Sequence, residues 1–264
     1  MIKILFIGDT VGRQGRMAVS KLLPELKKKY EIDYTIMNGE NLSHGKGMTI
    51  KNMDEMHECG VDFFTAGNHV WKFKETLAYL DEEDARLVRP ANYPKGVPGM
   101  GHKIVEIKNG LKILIINLQG RVFLKPDIDC PFRAADEILK ENKGDYAAVI
   151  VDFHAEATSE KITLKHYLDG RVSAVLGTHT HVQTADHHVT DKGTAYISDV
   201  GMVGKEDSII GIDKESIIDK FLYQLPTKHE ITVEGSSFFN AVLVEIDEKT
   251  AKAENITPIF LKNL

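Results

Sequence analysis

The sequence predicts an α/β fold, and three observations carry that prediction. Short apolar runs recur along the chain, each closed by turn residues and followed by apolar positions at helical spacing. That is the signature of βαβ units and a largely parallel sheet. An Asn109-Gly110 pair between two strand-like runs is a strong hairpin signal and adds antiparallel pairing. A second antiparallel pair closes the chain. The chain has 264 residues, 42% of them hydrophobic, which favours one large domain over 1–264 with ample material for a core. The pattern leaves two layouts open: one mixed sheet, or two facing sheets flanked by helices.

The elements follow in order. "IKILFIGD" (2–9) reads as a buried strand, and "GRMAVSKLLPELKKKY" behind it as a helix. "DYTIMNGEN" (33–41) is a second strand, then "MTIKNMDEMHECG" a helix ended by Gly60. "VDFFTAGNHV" (61–70) is a third strand, with a short helix near 73–80. "HKIVEIKNGLKILIINLQG" (102–120) is the hairpin. A helix near 132–141 leads to the strand "YAAVIVDFHAEAT", and a helix near 159–169 leads to "VSAVLGTHTHV". "TAYISDVG" follows, and the closing pair turns around Asp247–Lys249.

Bulk properties exclude several classes. The net charge of −6 offers no general basic footprint, so extended duplex nucleic acid is not an expected partner. Any positive charge that meets a phosphate must be local or supplied by metal. Only Cys59 and Cys130 occur, without a CxxC, which argues against a disulfide framework or a thiolate zinc site. "MIKILFIGD" is too short for a signal-peptide core, and no apolar stretch is long enough to span a bilayer. The expected setting is cytoplasmic, with no membrane partner; a homo-oligomer is left open.

The chemistry-bearing residues stand where the strands end. The first strand ends at Gly8-Asp9, the second at Gly39-Glu40-Asn41, and the third at Gly67-Asn68-His69. A later strand ends at His154, and "GTHTH" places His179 and His181 behind another. If the chain stays extended there, alternation points those two histidines to one side. Each element has a bland reading: Asp9 as a helix cap, Glu40-Asn41 as a turn, Asn68-His69 as loop polar groups, His154 as a hydrogen-bonded core histidine. Their joint order is the signal, because ligands of open α/β sheets bind outside the carboxyl ends of the strands. Mixed carboxylate, amide and imidazole donors suit manganese, iron or zinc. The absence of cysteine argues against a structural zinc site.

That order resembles the calcineurin-like metallophosphoesterases, whose pattern runs D-x-H, G-D, G-N-H-[DE], H, G-H-x-H. Val11 stands where the first histidine belongs, Glu40 replaces the central aspartate, and Val70 replaces the acidic residue after the histidine. Those departures, with "GDTVGRQGR", "NGEN", "TAGNHVW", "DFHAEATSEK" and "GTHTHVQTAD", resemble the YmdB-type bacterial 2',3'-cyclic-nucleotide phosphodiesterases. The resemblance implies a four-layer α/β/β/α sandwich with two mixed sheets and two metal ions, iron and/or manganese. It implies that Asp9, Glu40, Asn41 and His181 hold one ion, with Asn41 standing in for the histidine lost at Val11. Glu40, Asn68, His154 and His179 hold the other, so Glu40 bridges. It further implies attack by metal-bound hydroxide on a small cyclic nucleotide or RNA end, with His69 as general acid and a 3'-nucleotide as product. The alternatives are a broader phosphomonoesterase or nuclease on the same site, or a nucleotide- or metal-sensing regulator.

Flanking residues have weaker claims. The glycine-bearing loop 42–49 either walls a pocket or is plain surface. Arg13 and Arg16 read as solvated helix-start residues, and Trp71 as core rather than a base platform. Glycines 8, 12 and 15 do not form a GxGxxG, which disfavours a dinucleotide fingerprint.

Overall fold

A computed structural model describes residues 1–224, 226 and 235–264. The amino-terminal half builds β1 (Ile2–Ile7), β2 (Asp9–Thr10), α1 (Gly12–Tyr30), β3 (Tyr34–Asn38), α2 (Ile50–Glu58), β4 (Phe63–Thr65), α3 (Lys74–Tyr79) and β5 (Leu87–Val88). The hairpin strands are β6 (His102–Glu106) and β7 (Lys112–Gln119), followed by α4 (Pro131–Glu141), β8 (Ala148–His154), α5 (Thr158–Leu168) and β9 (Ala174–Thr178). Then come β10 (His188–Val189), β11 (Ala195–Ile197), β12 (Met202–Lys205), α6 (Lys214–Tyr223), β13 (Ser237–Asp247) and β14 (Lys252–Leu261).

These strands form two mixed sheets. One runs β2-β12-β13-β1-β3-β4-β5, with β14 also on β13; the other runs β10-β11-β9-β8-β7-β6. Within the first, β1, β3, β4 and β5 are parallel and β13 is antiparallel to β1. Within the second, β7, β8, β9 and β11 are parallel, with β6 and β10 antiparallel at the edges. Asn109 and Gly110 both take positive φ, 59° and 72°, the backbone that a tight hairpin turn of this hand demands.

Side-chain alternation then decides the layers. In β1, Ile2, Ile4 and Phe6 share a buried cluster with Ile113, Ile115, Ile150, Leu176 and Ile197 of the other sheet. Leu5 and Ile7 point the other way, into a cluster with Val19, Leu23 and Leu26 of α1 and Met53 and Met56 of α2. The second sheet repeats the division, with Leu114, Ile116, Val149 and Val151 packed against Ile138 of α4 and Leu164 and Leu168 of α5. Three cores separate four layers, α/β/β/α. The two-sheet alternative is therefore the correct one.

Besides β2, which reads in the sequence together with β1 as one strand over 2–9, four elements went unread: β5, β10, β12 and α6. The first two are two residues long and show no periodicity, while "MVGK" of β12 lacks alternation. Asp9 does not cap α1; Val11 holds the N-cap position, with no side-chain cap. No helix among the described residues is long and apolar enough to cross a membrane.

Candidate functional site

The carboxyl ends of β1, β3 and β4 in one sheet meet those of β8 and β9 in the other. Asn38, the last residue of β3, ties them together. Its amide nitrogen donates to Asp152 Oδ2 at 2.8 Å and lies 3.3 Å from Thr178 Oγ1, while its oxygen accepts from the Glu40 amide at 3.0 Å. Thr178 donates to Asp152 Oδ1 at 2.8 Å and stands 3.0 Å from His154 Nδ1. Burial pushes the Asp152 carboxyl up to about 7 against the hydrogen bonds of Thr65, Thr178 and Asn38. This buried polar frame sets where Glu40 and His154 stand.

Seven of the eight strand-end residues singled out in the sequence meet at this edge, in two neighbouring groups, and Asn68 stands next to His69 in the chain. In the first, His181 Nε2 lies 3.2 Å from Asn41 Oδ1 and 3.7 Å from Asp9 Oδ1. The Asn41 amide nitrogen donates to Gly45 O at 2.9 Å, so its oxygen is the atom turned to His181. In the second, His154 Nε2 lies 3.1 Å from His179 Nδ1 and 3.8 Å from Glu40 Oε1. Gly67 makes room for it, because a Cβ there would come within 2.2 Å of the His154 ring. His69 sits next to Glu40: its backbone N–H donates to Glu40 Oε1 at 2.6 Å, and its ring Nδ1 is 2.8 Å from the same oxygen. Val70, the next residue, is buried in the core, and Glu40 is the carboxylate beside the His69 ring.

The donor chemistry fits a cation. Asp9 Oδ1, Glu40 Oε2 and Asn68 Oδ1 are buried acceptors without a hydrogen-bond partner. Unpartnered buried oxygens are costly, and a bound cation satisfies several at once. Burial, reinforced by Asp199 and Glu40, raises the Asp9 carboxyl well above its ordinary range. Burial lowers His154 well below the ordinary imidazole value, holds His179 at about 4 and lowers His181. Neutral imidazole is the form that ligates metal. Among the described residues no three His, Cys, Asp or Glu side chains surround one point at ligation distance. Here the side chains close on each other, as the His154–His179 contact shows.

One expectation is corrected. His179 and His181 do not alternate along an extended chain, because β9 stops at Thr178 and both take positive φ, 98° and 68°. The turn sends His179 to His154 and His181 to Asn41. Non-glycine residues in such backbone cost on the order of 1–3 kcal/mol each and persist only where surroundings impose them. The imposing group is Asp199, whose Oδ2 accepts from Thr180 N at 2.9 Å and Thr180 Oγ1 at 2.7 Å, and whose Oδ1 accepts from Gly201 N at 2.8 Å. Lys161 Nζ completes it at 2.8 Å from Oδ2, a pair only 2% and 1% exposed. The Asp9 carboxylate adds the bond to His179 N at 3.0 Å. Glu156 Oε2 lies 3.1 Å from His179 Nε2.

Lys161, Asp199, Glu156, Asn38 and Asp152 were all missed from sequence. Asp152 had a readable signal, as a carboxylate two residues before His154 in an otherwise apolar strand. Arg13 is exposed as expected, whereas Arg16 is not solvated: it bonds Glu55 Oε2 at 2.7 Å and Leu42 O at 2.8 Å, tethering the loop behind Glu40. Trp71 packs edge-on against Tyr93 at 5.1 Å beside the core.

Two mixed sheets between helices, with acidic, amide and imidazole donors gathered at their carboxyl ends, define a metallophosphoesterase-like fold. The chain belongs to the YmdB-like protein family, whose model matches residues 5–259. It is 48% identical over 262 residues to the 2',3'-cyclic-nucleotide 2'-phosphodiesterase of Bacillus subtilis (strain 168), covering 99% of this chain and 98% of that protein. A solved Thermus thermophilus protein of unassigned function superposes with a TM-score of 0.91 at 42% identity, covering 100% of both chains. A Mycoplasma pneumoniae phosphatase superposes at 0.92 and 37% identity, covering 99% of this chain and 93% of that one.

Proposed function

We propose that the protein is a metal-dependent phosphodiesterase that opens 2',3'-cyclic nucleotides to 3'-nucleotides. The observation that carries this reading is the set of partnerless buried oxygens on Asp9, Glu40 and Asn68, of which Asp9 Oδ1 lies 3.7 Å from His181 and 3.8 Å from His154. The name of the Bacillus subtilis relative supports the substrate class. Asp9, Glu40, Asn41 and His181 would hold one ion and Glu40, Asn68, His154 and His179 the other, and this oxygen-rich set suits iron or manganese. Bound there, a metal pair supplies positive charge for the phosphoryl oxygens and lowers the pKa of water.

The chain's own part is positioning and proton transfer. Hydrolysis forms one P–O bond from water and breaks the P–O2' bond, so O2' must gain a proton as the ring opens. His69 is the side chain proposed for this: it is 31% exposed, its backbone N–H donates to Glu40 Oε1, and its ring Nδ1 lies 2.8 Å from the same oxygen. His69 supplies that proton, and the 3'-phosphate remains attached.

The test uses purified holoprotein with 2',3'-cAMP and chromatographic identification of product. The expected product is 3'-AMP, and His69→Ala with full metal content loses about 10²–10⁴-fold in turnover. The deficit is largest for a ribose leaving group and smallest for nitrophenolate, which needs no proton. Release of 2'-AMP, or faster turnover of phosphomonoesters, would overturn the reading. Binding without any turnover by the wild type would favour the sensor.

A further inference from the structure

The geometry points to a nucleobase subsite in the cleft between the β9–β10 turn and the β13–β14 edge, one that grips the base by its faces without reading its edge. This inference rests on the proposed cyclic-nucleotide substrate. The cleft encloses about 580 Å³, within the range of small-molecule sites. Two clefts of comparable size, about 500 and 480 Å³, are lined by Asp136, Lys140 and Arg171 and by Lys112, Asp145 and Lys249, and include none of the strand-end donors. The third is different because His181 forms part of its wall. His181 Nδ1 also lies 2.9 Å from the carbonyl of Ile210, another wall residue, so the cleft and the donor cluster share a boundary.

The wall has the chemistry of a ring-binding slot. Val182, Ile210 and Phe260 are large apolar side chains left 62%, 47% and 51% exposed, and Phe238 meets Phe260 edge to face at 6.1 Å. Aromatic rings offer sequence-tolerant stacking, because every base has a π-face. The amide nitrogens and the hydroxyl on the wall are already committed. Gln183 Nε2 donates to Val200 O and Ala241 O at 3.1 Å each, and Asn240 Nδ2 donates to Met202 O at 2.7 Å. Ser208 donates to Lys205 O at 2.7 Å and accepts from Gly211 N at 3.0 Å. Asn240 Oδ1 lacks a donor but is itself buried. His181 apart, no wall residue is ionisable. Such a slot separates purines from pyrimidines by stacking area, and separates bases of one ring size hardly at all.

The experiment compares wild type, Phe260→Ala and Phe260→Tyr on 2',3'-cAMP, 2',3'-cGMP, 2',3'-cUMP and the baseless glycerol 1,2-cyclic phosphate. Base–aromatic stacking measured by alanine substitution corresponds to about 5- to 150-fold in affinity. Phe260→Ala is therefore expected to raise KM for 2',3'-cAMP by that order relative to KM for the glycerol ester, with kcat little changed. The uridine ester shifts less, Phe260→Tyr stays near wild type, and the two purine esters behave alike in all three proteins. An unchanged KM ratio would overturn the subsite, whether KM stays constant for both substrates or rises equally. An equal rise with altered sedimentation would assign the cleft to contact between copies of the chain. Calorimetric binding of 2',3'-cAMP separates the two readings: weaker binding by Phe260→Ala with no turnover by wild type keeps the subsite and discards the phosphodiesterase.

Discussion

Lys161→Met tests whether a buried ion pair holds the histidine turn in its unfavourable backbone. The substitution keeps the apolar stem and removes the ammonium 2.8 Å from Asp199 Oδ2, where both side chains are almost wholly buried. Breaking such a pair from one side costs about 3–5 kcal/mol, chiefly because the surviving charge is left unpaired. Asp199 would still accept three hydrogen bonds, from Thr180 N, Thr180 Oγ1 and Gly201 N, which places the expected loss near 3 kcal/mol. At about 2–4 °C per kcal/mol for a chain somewhat below this length, the midpoint falls roughly 6–12 °C. Urea unfolding should be followed on chelator-treated protein, because metal binding to the folded state would add its own stabilisation. Lys161→Met/Asp199→Asn removes both charges and should be less damaging than the sum of the single variants by at least about 1 kcal/mol. A single variant within about 1 kcal/mol of wild type, or a strictly additive pair, would refute the argument.

Two further outcomes concern the donors. Glu40→Gln should lose more bound metal than Asn41→Ala by elemental analysis, since Glu40 adjoins the His154 group and Asn41 only His181; equal full occupancy would remove Glu40 from between the ions. Val11 is 4% exposed, with its side chain against Gly204 and Gly211, so Val11→His should cost about 1–3 kcal/mol by overpacking. If the new ring reaches Asp9, competitive titration will show a shift toward zinc; unchanged selectivity would mean that residue 11 does not reach the ions.

Much of this protein was legible in its sequence because the information is local. A period-2 or 3.6 pattern needs only neighbouring residues, so β1, β3, β8 and β9 and their helices could be read directly. Asp9, Glu40, Asn68, His154 and His179 each follow, or complete, such a strand, and parallel order brings those ends to one edge. What the sequence left open is what depends on residues far apart in the chain. Whether there was one sheet or two was decided by packing, when Phe6 and Ile150 turned to a shared core and Leu5 and Val151 turned away to helices. Glu40 meets His69 through a backbone hydrogen bond across 29 positions, where Val70 offers no acidic neighbour. The turn that separates His179 from His181 has φ values no local preference favours. Lys161 and Asp199, 38 positions apart, impose it, because only the folded interior makes an unpaired charge costly enough to outweigh the backbone's preference.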